Sequence, residues 1–197
     1  MTRTLFFCIA EEAKPFVPKA LREYTPELYK DEAPYCYFLV ESRDCPDSVE
    51  QFKSGLQDGE PFESDFINAS KEECQNWALD KWRQPAKYNF MGQEIIAMAD
   101  ARTAQDGTLL LSYYYNCPPD VFPVEVDEQG GPLPPKNQTW YDFRVQHTDS
   151  LEFQGSLLET EPDVAYPLFF DYPEKFTNEA GVFEIMKVDK FLADEEV

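Results

Sequence analysis

Trp140, Asp142 and Arg144 stand at alternate positions in the segment from Thr139 to His147. In an extended chain alternate side chains share a face, so all three project the same way. Arginine pairs bidentately with carboxylates and packs flat on aromatic rings. The triplet therefore has the chemistry to hold a carboxylate or a planar ligand. The same residues would also make a plain cross-strand ion pair on a solvated sheet face. Tyr141, Phe143 and Val145 take the opposite face and read as core. A second aromatic cluster, Tyr113-Tyr114-Tyr115, adds Tyr113 and Tyr115 to Trp140 and Arg144 as candidate ligand-binding residues. A third is Phe169-Phe170-Asp171-Tyr172. About half of each cluster should line a core, and the rest needs a partner, a covering segment or a ligand.

The candidate catalytic residues are Asp142, Arg144, His147 and Asp100. His147 is the only histidine. It excludes a multi-histidine metal site but could act as a general base. Just before Thr148-Asp149-Ser150, it also fits an ordinary turn position. Asp100, Asp106 and Asp120 fall near predicted strand ends, where magnesium sites and acid–base pairs are often built. Their spacing matches no known metal loop, and among 38 acidic residues close acids are expected by chance. No metal site and no cofactor are expected. The eight glycines form neither a phosphate-binding loop nor G-x-G-x-x-G, and no G-x-S-x-G occurs. Cys8, Cys36, Cys45, Cys74 and Cys117 include no C-x-x-C pair. That leaves no zinc or redox spacing and suits a reducing compartment.

Charge narrows the partners. The 197 residues carry a net charge of −21. A nucleic-acid binder needs a positive footprint to displace counterions from phosphate, and an anionic membrane asks the same. Neither is expected here. A protein or a small molecule remains as partner, and the oligomeric state stays open. Hydrophobic residues make up 43% and aromatics 15%, enough to bury a sizeable core. The apolar stretch Leu5 to Ala10 is too short for a signal segment and is followed by Glu11-Glu12. No run approaches the roughly 20 apolar residues of a membrane helix. A cytoplasmic protein is expected, so the triplets at Asn68 and Asn137 read as chance rather than glycosylation sites.

Several elements must position these residues. Residues 5–9, 35–40, 94–99, 108–115, 139–147 and 181–188 read as strands, and 62–67 as a weaker one. Asp106-Gly107 signals a turn between two antiparallel strands. Helices are expected over 18–24, 46–57, 70–83 and 173–178. Pro46 suits a first helical turn, and Val49, Phe52 and Leu56 follow helical spacing. Ser70 to Glu73 matches the capping box. Residues 151–158 fit helix or strand. The stretch 117–136, with six prolines, reads as a surface loop within one domain spanning 1–197. The order favours α+β: a mostly antiparallel or mixed sheet of about five to seven strands with two or three helices packed on it.

The C-terminal half holds Ala99-Asp100-Ala101-Arg102-Thr103, then Asp106-Gly107-Thr108-Leu109-Leu110-Leu111, then Phe143-Arg144-Val145 and the closing Gly181-Val182-Phe183. In these motifs it resembles a family of uncharacterised small bacterial and fungal α/β proteins. The family's asparagine segment is replaced by Leu157-Leu158-Glu159, its closing aspartate by Ala180 and its arginine by Glu184. The match covers residues 94–186 and implies a small α/β domain without implying an activity.

Two functions fit. One is a non-catalytic acidic binding protein, of immunity or inhibitor type, acting on a protein or small-molecule partner. The other is a cofactor-free isomerase, cyclase or lyase, with an aromatic-lined pocket and Asp, Arg or His as acid–base residues. Mimicry of DNA would need acids spaced like phosphates on one face.

Overall fold

A computed structural model describes residues 4–22, 37–57, 59–92, 94–116 and 136–195. Strand β1 (Thr4–Cys8) leads through helix α1 (Val17–Arg22) to β2 (Tyr37–Leu39), which pairs parallel to it. The chain then crosses β1 through α2 (Lys71–Trp82) and the short α3 (Pro85–Tyr88) to β3 (Ile95–Ala99), parallel on the other side of β1. The single turn α4 (Thr103–Asp106) ends at Gly107, whose φ of 72° reverses the chain into β4 (Thr108–Tyr115). Both β3–β4 and β4–β5 (β5, Thr139–Gln146) are antiparallel. Four further helices follow: α5 (Ser150–Glu159), α6 (Pro162–Tyr166), α7 (Pro173–Phe176) and α8 (Ile185–Glu195), with a π-turn at Pro167–Asp171. The result is a mixed five-stranded sheet, ordered β2-β1-β3-β4-β5. More helices pack on it than the two or three expected.

The sheet is covered on both faces, so β1 and β3 are buried at every position. This explains their continuous apolar runs. On one face Leu5, Phe7, Phe38, Ile96 and Met98 meet Cys74, Trp77 and Ala78 of α2. On the other, Phe6, Ala97, Leu111 and Val145 meet Val17, Phe153, Phe169 and Val188. Phe143 is the hub of that second layer, with its ring 4.9 Å from Phe153 and 5.7 Å from Phe183.

Three expected elements form differently. Residues 46–57 make only the 3-10 turn Val49–Gln51. Leu39 N donates to Lys53 O at 2.8 Å and pulls the following chain into an extended bridge. Phe52 and Leu56, spaced for one helical face, therefore enter opposite core layers. Residues 62–67 form no strand, and the chain turns at 65–68. They fold across the strand ends, where Asn68 N donates to Ile9 O. The expected last strand survives only as Phe183, bridged to Val145, and Ile185–Glu195 is helical. Ile185 and Val188 are three apart, and both are fully buried on one helix face. Residues 151–158 resolve to helix, and the capping box opens α2 as expected, with both reciprocal bonds present. The proline-rich stretch 117–136 lies, apart from Lys136, outside the described residues, as do Asp120, Cys36 and Cys117.

Candidate functional site

In sheets with parallel strands, ligands favour the crevice beyond the carboxyl ends where successive connections leave on opposite faces. Here α1 and α2 pack on opposite faces, which places that crevice between β1 and β3. The chain closes it itself. Ile9 N donates to Ala99 O, Asn68 N to Ile9 O and Ser64 Oγ to Cys8 O, each at 2.9 Å. Phe66 is fully buried behind them.

The alternation of β5 holds, so Trp140, Asp142 and Arg144 share the α2 face of the sheet. What covers Trp140 and Asp142 is α2. Lys71 Nζ donates to Asp142, as do Gln75 Nε2 at 3.2 Å and Ser112 Oγ at 2.5 Å. The capping box fixes where α2 begins, and so brings Lys71 and Gln75, one turn apart, onto the same carboxylate. Trp140 packs between Trp82 and Tyr114, at 5.7 and 5.0 Å. Arg144 forms a fork on Asp100, with Nη1 to Oδ1 at 3.0 Å and Nη2 to Oδ2 at 2.5 Å. Their side chains are 13% and 21% exposed. Burial pushes the Asp100 carboxyl up, but the Arg144 guanidinium and the Thr103 donors outweigh it and hold the group below its ordinary value.

The structure brings Asp100 and Arg144 together and leaves the other candidates apart. His147 Nδ1 lies 2.9 Å from Gly107 O, and its ring meets Phe16 edge-on. Since a carbonyl only accepts, Nδ1 carries the proton. Tyr113 and Tyr115 belong to the opposite core layer from Trp140 and Arg144, so the four do not form one site. Tyr113 stacks on Phe170 and Tyr115 meets Tyr166 edge-on. Each charged candidate is thus engaged by its own chain. Among the described residues no group of three or more His, Cys, Asp or Glu is placed to hold a metal ion.

A groove of about 510 Å³ runs along the edge of β5. Tyr141, Phe143 and Phe170 line one side, Asp142 and Arg144 another, and Pro173 and Glu174 flank it. Phe183 N donates to Arg144 O at 2.7 Å, so the main chain of Arg144 points away from β4. Strand alternation turns that of Asp142 the same way. Asp142 counts as an exposed residue although its side chain is only 26% exposed, so it is the main chain that solvent reaches. Thr177 Oγ and Asn178 Oδ1, also in the lining, are tied to Pro173 O and to the Ala180 and Val182 amides. Glu174 is the one charged lining group without an internal partner among the described residues. The Phe169-Phe170 cluster was the sequence signal for this wall. No spacing pointed to Glu174.

Comparison with family models, with curated proteins and with solved structures gives no match. No described helix is long and apolar enough to cross a membrane.

Proposed function

We propose that the protein is a non-catalytic binding protein that takes an extended segment of a protein partner as an added strand on the open edge of β5. The observation that carries this reading is the outward main chain of Asp142 inside an aromatic groove. An exposed strand edge is a template for another chain. In strand addition the main chain supplies affinity and alternate side chains supply specificity. Phe183 already occupies the edge at Val145, running parallel to β5. An incoming strand would take the part around Trp140 to Asp142. Its residues on one face meet Tyr141 and Phe170. The unpaired Glu174 carboxylate and the net charge of −21 favour a basic residue beside them. The segment bound is therefore extended, basic and aromatic.

The rival reading, a cofactor-free isomerase, cyclase or lyase, needs converging polar groups free to act on a substrate. Asp142, Arg144, Asp100 and His147 all have bonds within the chain, which supports binding over catalysis.

A displayed library of random heptapeptides provides the test. Selection should enrich sequences alternating aromatic and basic residues, and the selected peptide should slow hydrogen exchange at the Asp142 amide. Asp142→Pro removes the outward N–H without touching the β4 ladder, and should weaken capture about tenfold or more. Asp142→Asn keeps that N–H and should bind like the parent. Peptides that bind without protecting the edge amides would refute the reading.

A further inference from the structure

A second cavity, of about 300 Å³, lies at the other end of the sheet from the Asp100–Arg144 pair. It sits where α2 ends, β4 ends and β3 and β5 begin. Trp82, Arg83, Glu94, Tyr114, Asn116 and Gln138 line it together with Leu79. Its polar lining differs from that of the edge groove, where nearly every group is bonded internally. Here, among the described residues, the side chains of Arg83, Glu94, Tyr114, Asn116 and Gln138 have no intramolecular hydrogen-bond or ion-pair partner. The other arginines with described side chains are all paired: Arg43 with Glu73, Arg102 with Asp106 and Arg144 with Asp100. Among the described residues Arg83 stands without a carboxylate, in a chain of 38 acids and 17 bases.

Arg83 and Glu94 line the same cavity without forming an ion pair. A ligand carrying one charge would answer one of them and leave the other. A ligand carrying both would answer both. The wall between is aromatic and held in place from behind, since the Trp82 and Tyr114 rings both rest on Trp140. Tyr114 N donates to Glu94 O at 2.7 Å, which fixes the acid beside the phenol. Trp82 is 8% exposed, and its buried indole N–H has no acceptor among the described residues. Such an orphan donor calls for an explanation in a folded chain. The volume is at the small end of the range for small-molecule sites.

We propose that this cavity binds a small zwitterion with a planar apolar group, the chemistry of an aromatic α-amino acid. Arg83 takes the carboxylate as a fork and Glu94 the ammonium. Trp82 and Tyr114 pack on the planar group. Asn116 and Gln138, each both donor and acceptor, complete the hydrogen bonds. Desolvation alone acts on the Glu94 carboxyl and raises it, in keeping with an acid that has no cation of its own. Trp140 acts as a positioning residue for the two rings. This site does not depend on strand addition at β5.

Calorimetry on the full chain tests it with L-phenylalanine, L-tyrosine, L-tryptophan and L-histidine as probes. At least one should bind. For L-phenylalanine, 3-phenylpropanoate lacks the ammonium and phenethylamine lacks the carboxylate. The analogues of whichever amino acid binds best should each bind about tenfold weaker or worse, the loss of one charge-assisted contact. Arg83→Leu should weaken the amino acid and leave the amine analogue unchanged. Glu94→Gln should weaken the amino acid and leave the acid analogue unchanged. Arg83 is exposed, so Arg83→Leu should melt like the parent. Glu94→Gln removes a carboxyl that burial pushes up, so it should melt no lower than the parent. No heat from any of the amino acids would overturn the proposal. So would equal affinity for the amino acid and its singly charged analogues.

Discussion

Arg144 and Asp100 carry the clearest single-residue consequence. Their bidentate contact is mostly shielded from solvent, so removing one partner strands a charge. Arg144→Ala should cost about 2–3 kcal/mol, between the values for exposed and fully buried pairs. A double-mutant cycle with Asp100→Ala should recover part of that cost, measured by thermal or urea unfolding. The pH dependence follows from the direction of the shift. The Asp100 carboxyl is pushed up by burial but held lower overall by Arg144 and Thr103, so folding favours its ionised form. Its contribution is complete above the carboxylate value of the unfolded chain, about 4, and is lost as pH falls through the lower folded value. Arg144→Ala should flatten this acid limb. Glu152 has the opposite sign. Burial and the neighbouring Asp189 and Asp149 raise its carboxyl, so its ionised form disfavours the fold at neutral pH. Glu152→Gln should raise the neutral-pH melting temperature, and the gain should shrink as the medium is acidified.

At the scale of elements, α2 decides what the β5 face can do. Its first residue is set by the Ser70 and Glu73 capping box. Ser70→Ala should cost about 1 kcal/mol and loosen the Lys71 and Gln75 contacts to Asp142, seen as faster amide exchange in the first turn. The segment after α7 matters as much to the other face. Phe183 is 2% exposed, stacked on Phe169 at 5.4 Å, and donates its amide to β5. Phe183→Ala should destabilise by about 3–5 kcal/mol, measured by urea unfolding. Periodicity worked where an element's contacts lie mostly on one helix stripe or one strand face, as in α2 and β5. It failed at 46–57, where helical spacing was real but a bridge to β2 made extended chain the better partner.

For the molecule as a whole, the net charge of −21 sets long-range behaviour. Self-repulsion opposes compaction, and salt screens it over a Debye length of about 10 Å at 0.1 M. Added salt should therefore raise the melting temperature. It should also slow association with a basic peptide while leaving its dissociation rate nearly unchanged, as measured by stopped flow. Binding of a zwitterion at the second cavity should respond little to salt, because its net charge is zero. This difference in salt response separates the two proposed sites in one set of titrations.

The chain by itself determined the mixed α and β content, the strands at β1, β3, β4 and β5, the start of α2 and the face shared by Trp140, Asp142 and Arg144. All of these rest on local patterns: alternation, capping and turn residues. It also singled out Asp100 and Arg144, without showing that they would meet. Only the tertiary structure decided their pairing, because they lie 44 positions apart and meet across β4, from the end of β3 to β5. Alternation could say that Trp140 and Asp142 project together, but not that α2 would lie over them, since coverage depends on how the helix crosses β1. Nor could it place Tyr113 and Tyr115 on the opposite face from Trp140. That relation is set by the register of β4 against β5, which pairs Tyr113 with Tyr141 and Tyr114 with Trp140. The open edge and the second cavity have the same origin: both are spaces left between elements, and a space has no residues of its own to leave a pattern in the sequence.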